Sequence, residues 1–300
     1  MQKYKGAYGF MRSLGIKNNE KVVILTDSIA LKEPINILSS VFKEHKAVVD
    51  IKEIIPDEFL DELPESFIDE IKAYDVVLFM AYQSWYHTKL RRDAKYVMKK
   101  RVAECYDPCV ELLLDGAMTA DFEEMDKVGN NIARKYKVGD TLHIASASGT
   151  DFSCKVQMVA VESGCYETSG SGGNLPAGEV SLGVVKGSGS GKIVFDVSFE
   201  LVEPSELPVT LEVDGGCIVK ATNKDNRSIM HLLTPETVKN IAEVGIGIND
   251  KALLGRTILE DEKKNGTAHV GIGSNIYFGG NIKGPHYDGV FQNPLFTLLP

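Results

Sequence analysis

Three short apolar segments decide the fold of the first third of the chain: VVILT (Val22–Thr26), AVVDI (Ala47–Ile51) and VVLFM (Val76–Met80). They are rich in β-branched residues, and apolar runs of this length between polar residues are typical of buried parallel strands. Helical spacing in Pro34–Phe42 and in the acidic segment Ile55–Lys72 separates them. This alternation predicts right-handed βαβ units in an α/β domain with an open, mostly parallel sheet.

A basic segment follows the third predicted strand. Ser84–Lys100 (SWYHTKLRRDAKYVMKK) has the pattern of an amphipathic helix. Its bases Lys89, Arg91 and Arg92 suggest a nucleic-acid surface as one alternative. Because the chain as a whole is acidic, we instead predict a solvated or dimer-facing helix.

The pattern changes to alternating apolar and polar residues from about residue 137 onward. Ile193–Val202 (IVFDVSFELV) alternates most clearly, and Leu207–Val219 predicts two strands around the turn Asp214-Gly215-Gly216. Shorter alternating segments are Thr141–Ala147 and Cys154–Ala160.

A chain of 300 residues with 43% hydrophobic content can form one large or two medium domains. We predict an α/β domain over residues 1–136. A β-rich α+β domain over residues 137–300 is expected to carry the functional site.

Two glycine-rich segments, Ser169–Gly173 and Gly187–Lys192, invite comparison with phosphate-binding loops. A Walker-type loop requires Gly-x4-Gly-Lys-Ser/Thr between a strand and a helix. Here Lys186 occupies the position of the first glycine, and Ile193 follows the lysine. We therefore predict tight or flexible loops without nucleotide binding.

Composition narrows the class of protein. A net charge of -9 and a pI near 5.3 argue against a nucleic-acid partner. The first twenty residues lack a signal-peptide core, and no apolar run approaches eighteen residues, so we expect a cytoplasmic protein that does not bind a membrane. Five scattered cysteines predict reduced thiols: Cys105, Cys109, Cys154, Cys165 and Cys217.

Five residues in the C-terminal half have side chains suited to a metal ion. Glu179 ends a turn-rich loop, Glu243 interrupts an apolar glycine-rich run, and His269 lies among small residues. His286 and Asp288 are two apart, so both would point to one side of an extended strand. Two imidazoles and three carboxylates suit zinc, cobalt, manganese or iron, and bridging carboxylates can hold two ions about 3.5–4 Å apart.

Each of these residues also has an ordinary structural explanation. Isolated histidines, such as His45 and His143, are usually surface residues or satisfied core residues. Glu243 could cap a helix or pair with a lysine, and Glu179 could be an ordinary loop residue. The residues alone therefore indicate a candidate metal site and leave these alternatives open.

The order and separation of several motifs resemble the thermophilic metallo-aminopeptidases of the aminopeptidase T and aminopeptidase S type. In the C-terminal half they are NLPAGEV (Asn174–Val180), AEV (Ala242–Val244), DEKKNGTAHVGIG (Asp261–Gly273) and HYD (His286–Asp288). In the N-terminal half they are QSWYHT (Gln83–Thr88) with Arg91-Arg92, and GTDF (Gly149–Phe152). The resemblance covers most of the chain.

The resemblance implies a homodimer and a two-metal centre of zinc, cobalt or manganese. The ligands implied are Glu179, Glu243, His269, His286 and Asp288. It further implies a catalytic tyrosine, for which Tyr277 is the nearest match, although one residue further from the first histidine than in the family. The chain is shorter than these aminopeptidases, which leaves its substrate open.

Hydrolysis of an amide or N-terminal peptide bond in a small substrate is the activity expected first. A metal-activated water would attack the carbonyl, and Glu179 would carry the proton to the leaving amine. A related branch, the 2,5-dihydroxypyridine 5,6-dioxygenases, provides the alternative. There His269, His286 and Asp288 would hold one iron(II), whereas Glu243 favours the hydrolase because that branch has a histidine in its place. A non-catalytic ligand-binding relative is the third hypothesis.

Overall fold

The computed structural model describes residues 3–54, 63, 66–82, 84–86 and 88–300. Contacts between Cα atoms divide the chain into two compact units. Unit 1 contains Met1–Asp126 and Glu162–Ala177, and unit 2 contains Lys127–Val161 and Gly178–Pro300. The predicted class, an α/β part and a β-rich part, agrees with this arrangement. The domain boundary between residues 136 and 137 stays a prediction.

Unit 1 is built on a sheet of five parallel strands in the order β2-β1-β3-β4-β7. The strands are β1 (Lys21–Thr26), β2 (Val48–Glu53), β3 (Val76–Phe79), β4 (Arg101–Glu104) and β7 (Gly172–Asn174). Its helices are α1 (Lys5–Ser13), α2 (Lys32–Glu44), α3 (Ser66–Ile71), α4 (Lys89–Arg92) and α5 (Val110–Leu114). A 3-10 turn covers Gly116–Thr119, and α6 (Phe122–Ala133) contains the change to unit 2.

The three apolar segments quoted first are all strands of this sheet, as predicted. The strands β1 and β3 are almost entirely buried, as expected for a parallel sheet covered on both faces. The predicted helix Pro34–Phe42 lies within α2. Of the predicted helix Ile55–Lys72, Ser66–Ile71 is helical, and residues 55–62, 64 and 65 lie outside the described residues, as do Gln83 and His87.

The prediction of one helix over Ser84–Lys100 is wrong at both ends. Thr88 is extended and caps α4, which continues as a π-helical segment only to Val97. Before the cap, the backbone N–H of Trp85 and the hydroxyl of Ser84 both donate to the Glu104 carboxylate, which holds these residues outside the helix.

Arg91 is also not on a solvated surface, contrary to the prediction. Its side chain is fully buried. The Nε atom lies 3.2 Å from Glu104 Oε2, and the guanidinium lies 3.6 Å from the centre of the Tyr86 ring. An arginine can be buried at such a site because a carboxylate and an aromatic face compensate its charge.

The segment Ser169–Gly173, predicted as a loop, contributes to a strand. Gly172 begins β7, which pairs in parallel with β4. A Cβ atom on Gly172 would lie 2.0 Å from the carbonyl oxygen of Val102, so only glycine permits this approach. The second segment, Gly187–Lys192, is a turn that leads into a strand at Ser190.

Unit 2 is dominated by an antiparallel sheet of eleven strands. Its main path is β10-β15-β14-β13-β8-β6-β9-β11-β12, and β5 pairs with both β6 and β16. The strands are β5 (Thr141–Ala145), β6 (Asp151–Glu162), β8 (Glu179–Val184), β9 (Ser190–Phe195), β10 (Ser198–Phe199), β11 (Val209–Asp214), β12 (Cys217–Thr222), β13 (Ile241–Gly247), β14 (Thr267–Gly273), β15 (His286–Gln292) and β16 (Leu295–Leu299). Short 3-10 turns cover Pro204–Glu206, Met230–Leu232 and Glu236–Lys239, and α7 covers Ile258–Lys263.

The predicted hairpin around Asp214-Gly215-Gly216 is confirmed, since β11 and β12 pair with Asp214 opposite Cys217. The alternating segment Ile193–Val202 is not one continuous strand. It divides into β9, which pairs with β11, and β10, which pairs with β15. No helix among the described residues is long and apolar enough to cross a bilayer.

The first helix of unit 1 packs through glycines. A Cβ atom on Gly6 would lie 2.0 Å from the carbonyl oxygen of Leu112, and one on Gly9 would lie 1.8 Å from that of Met118. Both atoms that would clash are backbone, so neither can move aside without shifting an element.

We expect Gly9→Ala to lower the free energy of unfolding by about 1–3 kcal/mol, the usual cost of overpacking a close contact. Urea denaturation measures the change, and Lys5→Ala on the exposed side of the same helix is the control. Equal stabilities of the two variants would contradict this packing.

Candidate metal centre

Four neighbouring strands of unit 2 carry the five predicted ligands. In the ladder β15-β14-β13-β8, Asp288 is opposite Gly271, which is opposite Glu243. His269 is opposite Gly245, and Glu179 is opposite Gly247. Since every second side chain points to one face of a sheet, the register places all the predicted ligands on one face: Glu179, Glu243, His269, His286 and Asp288.

The opposite face of the same strands is apolar. It presents side chains that are buried in the core: Val180, Leu182, Val184, Val244, Ile246, Val270 and Ile272. This division explains the local sequence. Valine and isoleucine alternate with glycine, glutamate or histidine because one face packs and the other carries polar groups.

The glycines on the ligand face make room for the polar groups. A Cβ atom on Gly245 would lie 1.8 Å from Cε1 of His269. One on Gly271 would lie 2.6 Å from both Cγ of Glu243 and Nε2 of His286. Any larger residue at these two positions would occupy the space that the imidazoles and carboxylates now fill.

The five side chains converge. Nε2 of His286 lies 2.9 Å from Oε1 of Glu243 and 3.5 Å from Oδ1 of Asp288. Nε2 of His269 lies 3.3 Å from Oε2 of Glu179 and 4.0 Å from Oε1 of Glu243. Their function as metal ligands stays a prediction, but the sheet brings all of them together.

Two groups within this cluster could each hold an ion. In each group the nitrogen and oxygen atoms lie within 4.8 Å of one another. One group is Glu179, Glu262 and His269, and the other is Glu243, His269 and Asp288. His269 belongs to both, and Glu262 was not among the predicted ligands.

Glu262 and Lys263 are the site residues that sequence reasoning missed. They end α7, a six-residue helix in which Glu262 and Lys263 are almost fully buried. Nζ of Lys263 lies 2.8 Å from Oε1 of Glu179 and 2.9 Å from Oε2 of Glu262. The ammonium therefore sits between two carboxylates of the cluster.

A capping signal in the sequence could have located these residues. Thr257 and Glu260 have the T-x-x-E spacing, and the Thr257 hydroxyl accepts a hydrogen bond from the backbone of Glu260. The carboxylates of Glu260 and Asp261 then accept bonds from backbone N–H groups of the preceding loop. Only the last two charges of the E-D-E-K run thus face the cluster.

His286 is oriented by a backbone carbonyl. Its Nδ1 atom lies 2.8 Å from the carbonyl oxygen of Ser274 and donates to it. This bond leaves Nε2 directed toward Glu243 and Asp288, the arrangement in which a histidine binds a metal through Nε2. The backbone N–H of Asp288 donates to the carboxylate of Glu200, which holds the start of β15.

Burial and the charges of neighbouring groups shift the pKa values of the side chains in the cluster. Burial raises the pKa of Glu243 and raises that of Glu262 well above its ordinary value. Burial alone would lower the pKa of His286, but the neighbouring charges of Asp288 and Glu243 raise it well above its usual value. The pKa of Asp288 is lowered, because His286 outweighs the effect of burial. The carboxylates thus require positive charge beside them.

The residues present fit a divalent metal ion. Four buried polar atoms of the cluster have no hydrogen-bond partner among the described residues: Oε2 of Glu179, Oε1 of Glu262, Nδ1 of His269 and Oδ1 of Asp288. Buried polar atoms are normally paired, and carboxylate oxygens with imidazole nitrogens are suitable ligands for zinc, manganese and iron.

Three further residues were considered from the sequence: Tyr277, His45 and His143. Tyr277 is half-buried in the loop after β14, with its ring 5.2 Å from that of Phe278, and its catalytic function stays a prediction. His45 contacts Tyr8 within unit 1, and His143 pairs with Asp151 at 2.8 Å. The last two have the ordinary structural environments expected for isolated histidines.

Gly271→Ala tests whether the glycines make space for the cluster. The added methyl group would displace Glu243 and His286, so we expect affinity for a divalent metal to fall about 10- to 100-fold. Isothermal titration with Mn²⁺ measures it. Gly189→Ala is the matched control, since its Cβ would approach the Phe152 ring at 3.0 Å and the Cα atom of Gly216 at 3.3 Å, and none of the predicted ligands. Unchanged affinity in a folded Gly271→Ala protein would contradict the assignment.

Comparison with known proteins identifies relatives of this arrangement. The chain is similar in structure to 2,5-dihydroxypyridine dioxygenase from Pseudomonas putida KT2440, with a TM-score of 0.76 and 18% identity over 98% of this chain and 93% of that one. It is also similar to AmpT from Thermus thermophilus, with a TM-score of 0.61 and 14% identity over 99% and 96% of the two chains. No curated protein matches in sequence.

Both structures fit the predicted relationship between metallo-aminopeptidases and dihydroxypyridine dioxygenases, and at these identities they show the fold. A match to a sequence family assigns the chain more specifically than the shared fold does. The pattern described as NicX, 2,5-dihydroxypyridine 5,6-dioxygenase, matches residues 10–281. A match over this much of the chain shows that the protein belongs to the NicX family of enzymes.

Proposed function

We propose that the protein is a mononuclear iron(II) dioxygenase that opens the ring of a hydroxylated aromatic heterocycle. The observation that carries the proposal is the family match over residues 10–281. It favours the alternative from the sequence over the hydrolase that was expected first. The convergence of two histidines and a carboxylate on one sheet face supports it further.

The chain offers a suitable set of ligands. His269, His286 and Asp288 would form a two-histidine, one-carboxylate set, which is typical of non-haem iron(II) oxygenases. When bound at such a set, iron(II) keeps open positions for oxygen and supplies its activation. Glu243 Oε1, 2.9 Å from His286 Nε2, is available as a further ligand or as a hydrogen-bond acceptor beside the set.

The remaining polar residues would prepare the substrate. Glu179 and Glu262 are buried carboxylates held by Lys263, and a carboxylate in this position can accept the proton of a ring hydroxyl. The apolar core beneath the strands and the low exposure of the cluster limit the access of bulk water to it. A dioxygenase places both atoms of O2 in the product, so the reaction requires no external reductant.

Oxygen consumption tests the proposal. We expect the protein reconstituted anaerobically with iron(II) to consume one O2 for each 2,5-dihydroxypyridine lost, which an oxygen electrode and absorbance spectroscopy measure together. His286→Ala should lose both iron and activity because it removes a ligand. His143→Ala, at a histidine outside the cluster, should retain both.

Iron-loaded protein that consumes no oxygen with any hydroxylated pyridine or related aromatic ring would overturn the dioxygenase proposal. Iron binding that survives His286→Ala would show that the metal is held elsewhere.

Metal-dependent hydrolysis is the second candidate, and Glu243 is the observation that favours it. Together with Glu179 it completes a set of three carboxylates and two histidines, and the fold is shared with AmpT. Release of a free amine from small amino-acid amides by the zinc-, cobalt- or manganese-loaded protein, without oxygen uptake, would select this candidate. Glu179→Gln should then retain metal and lose turnover.

Metal affinity should depend on pH in a defined direction. The charges of Asp288 and Glu243 raise the pKa of His286 well above its ordinary value and so favour the protonated imidazole, and a metal ion that binds this nitrogen must displace the proton. We therefore expect the affinity for Mn²⁺ to rise between pH 6 and 8, by up to about tenfold per pH unit for one displaced proton. Titration calorimetry in two buffers of different ionisation enthalpy counts the proton. Affinity independent of pH would contradict the assignment.

A further inference from the structure

The ammonium group of Lys263 lies within the cluster. This side chain is about 1% exposed, which is unusual for a lysine unless it is paired. Its contacts at 2.8 Å and 2.9 Å join Glu179 to Glu262, two of the three members of the first candidate metal group. The lysine thus lies where a second metal ion would need its carboxylate ligands.

Glu179 divides its two oxygens between two parts of the cluster. Oε1 contacts Lys263, whereas Oε2 lies 3.3 Å from Nε2 of His269. A carboxylate that bridged two metal ions would have to give Oε1 to an ion at roughly 2.0–2.2 Å. The ammonium already takes up that oxygen.

The formal charges lead to the same result. Glu179, Glu243, Glu262 and Asp288 with the Lys263 ammonium have a formal charge of −3 when the imidazoles are neutral. One divalent ion reduces this to −1. Two ions would place the ammonium beside excess positive charge in a buried site, where repulsion between like charges is weakly screened.

Resting on the iron site proposed above, we propose that Lys263 takes the place of a second metal ion and limits the centre to one. The single ion binds among Glu243, His269, His286 and Asp288. Glu179 and Glu262 keep their contacts with the Lys263 ammonium group. This one-metal centre suits oxygen chemistry and not the two-metal hydrolysis that the same ligand set could otherwise support.

Metal stoichiometry tests the inference without any measurement of activity. The full-length protein is loaded with excess Mn²⁺, freed of unbound metal on a desalting column and analysed by elemental mass spectrometry. We expect one ion per chain for the natural sequence and for Lys263→Arg, which keeps the charge. We expect two for Lys263→Met, which removes it at a similar side-chain length.

Electron paramagnetic resonance supplies a second measurement that does not depend on the folding of the Met variant. The natural protein with excess Mn²⁺ should give the spectrum of isolated ions, and an exchange-coupled pair would overturn the inference. Circular dichroism shows whether Lys263→Met is folded. A folded Lys263→Met protein that binds only one ion would also overturn the inference.

The two proposals fail in different ways. Two ions in the natural protein would reject the function of Lys263 and leave a metal enzyme, with hydrolysis favoured. No ion in the natural protein, even after reconstitution, would reject the metal centre itself and the inference with it.

Discussion

Repulsion among buried carboxylates is the constraint on which the functional half of this protein depends. Glu179, Glu243, Glu262 and Asp288 lie in one cluster with little exposure to solvent. Because like charges repel strongly at a buried site, their convergence has to be balanced by positive charge. His286 and Lys263 supply part of it within the chain, and we propose that a metal ion supplies the rest.

The antiparallel sheet of unit 2 makes this concentration of charge possible. One face of β8, β13, β14 and β15 packs in the apolar core, which fixes the strands, and the other face is left for polar side chains. Glycines at positions 245 and 271 provide the space that histidine and glutamate occupy. Stability and function are therefore divided between the two faces of the same strands.

Much of the fold was predictable because its signals are local. The three parallel strands and the hairpin at Asp214-Gly215-Gly216 depend on short-range patterns. The exceptions depend on distant contacts. Ser84 and Trp85 stay outside the helix because Glu104 binds them, and Gly172 joins the parallel sheet beside Val102.

Five residues of the candidate site were predictable, but Glu262 and the charge balance were not. The five carboxylates and histidines were recognised because isolated polar residues interrupt apolar, glycine-rich runs. Lys263 was not, because it ends a run of four charged residues that resembles a solvated helix. Only the tertiary structure shows that the first two of these side chains accept hydrogen bonds from the preceding loop, whereas the last two face the cluster.

Anomalous scattering at the iron edge, from crystals of the natural protein reconstituted without oxygen, tests the account most directly. We predict one peak per chain, bounded by His269, His286 and Asp288, with the Lys263 side chain still between Glu179 and Glu262. Two peaks in the cluster, or a peak bound by other residues, would contradict the account.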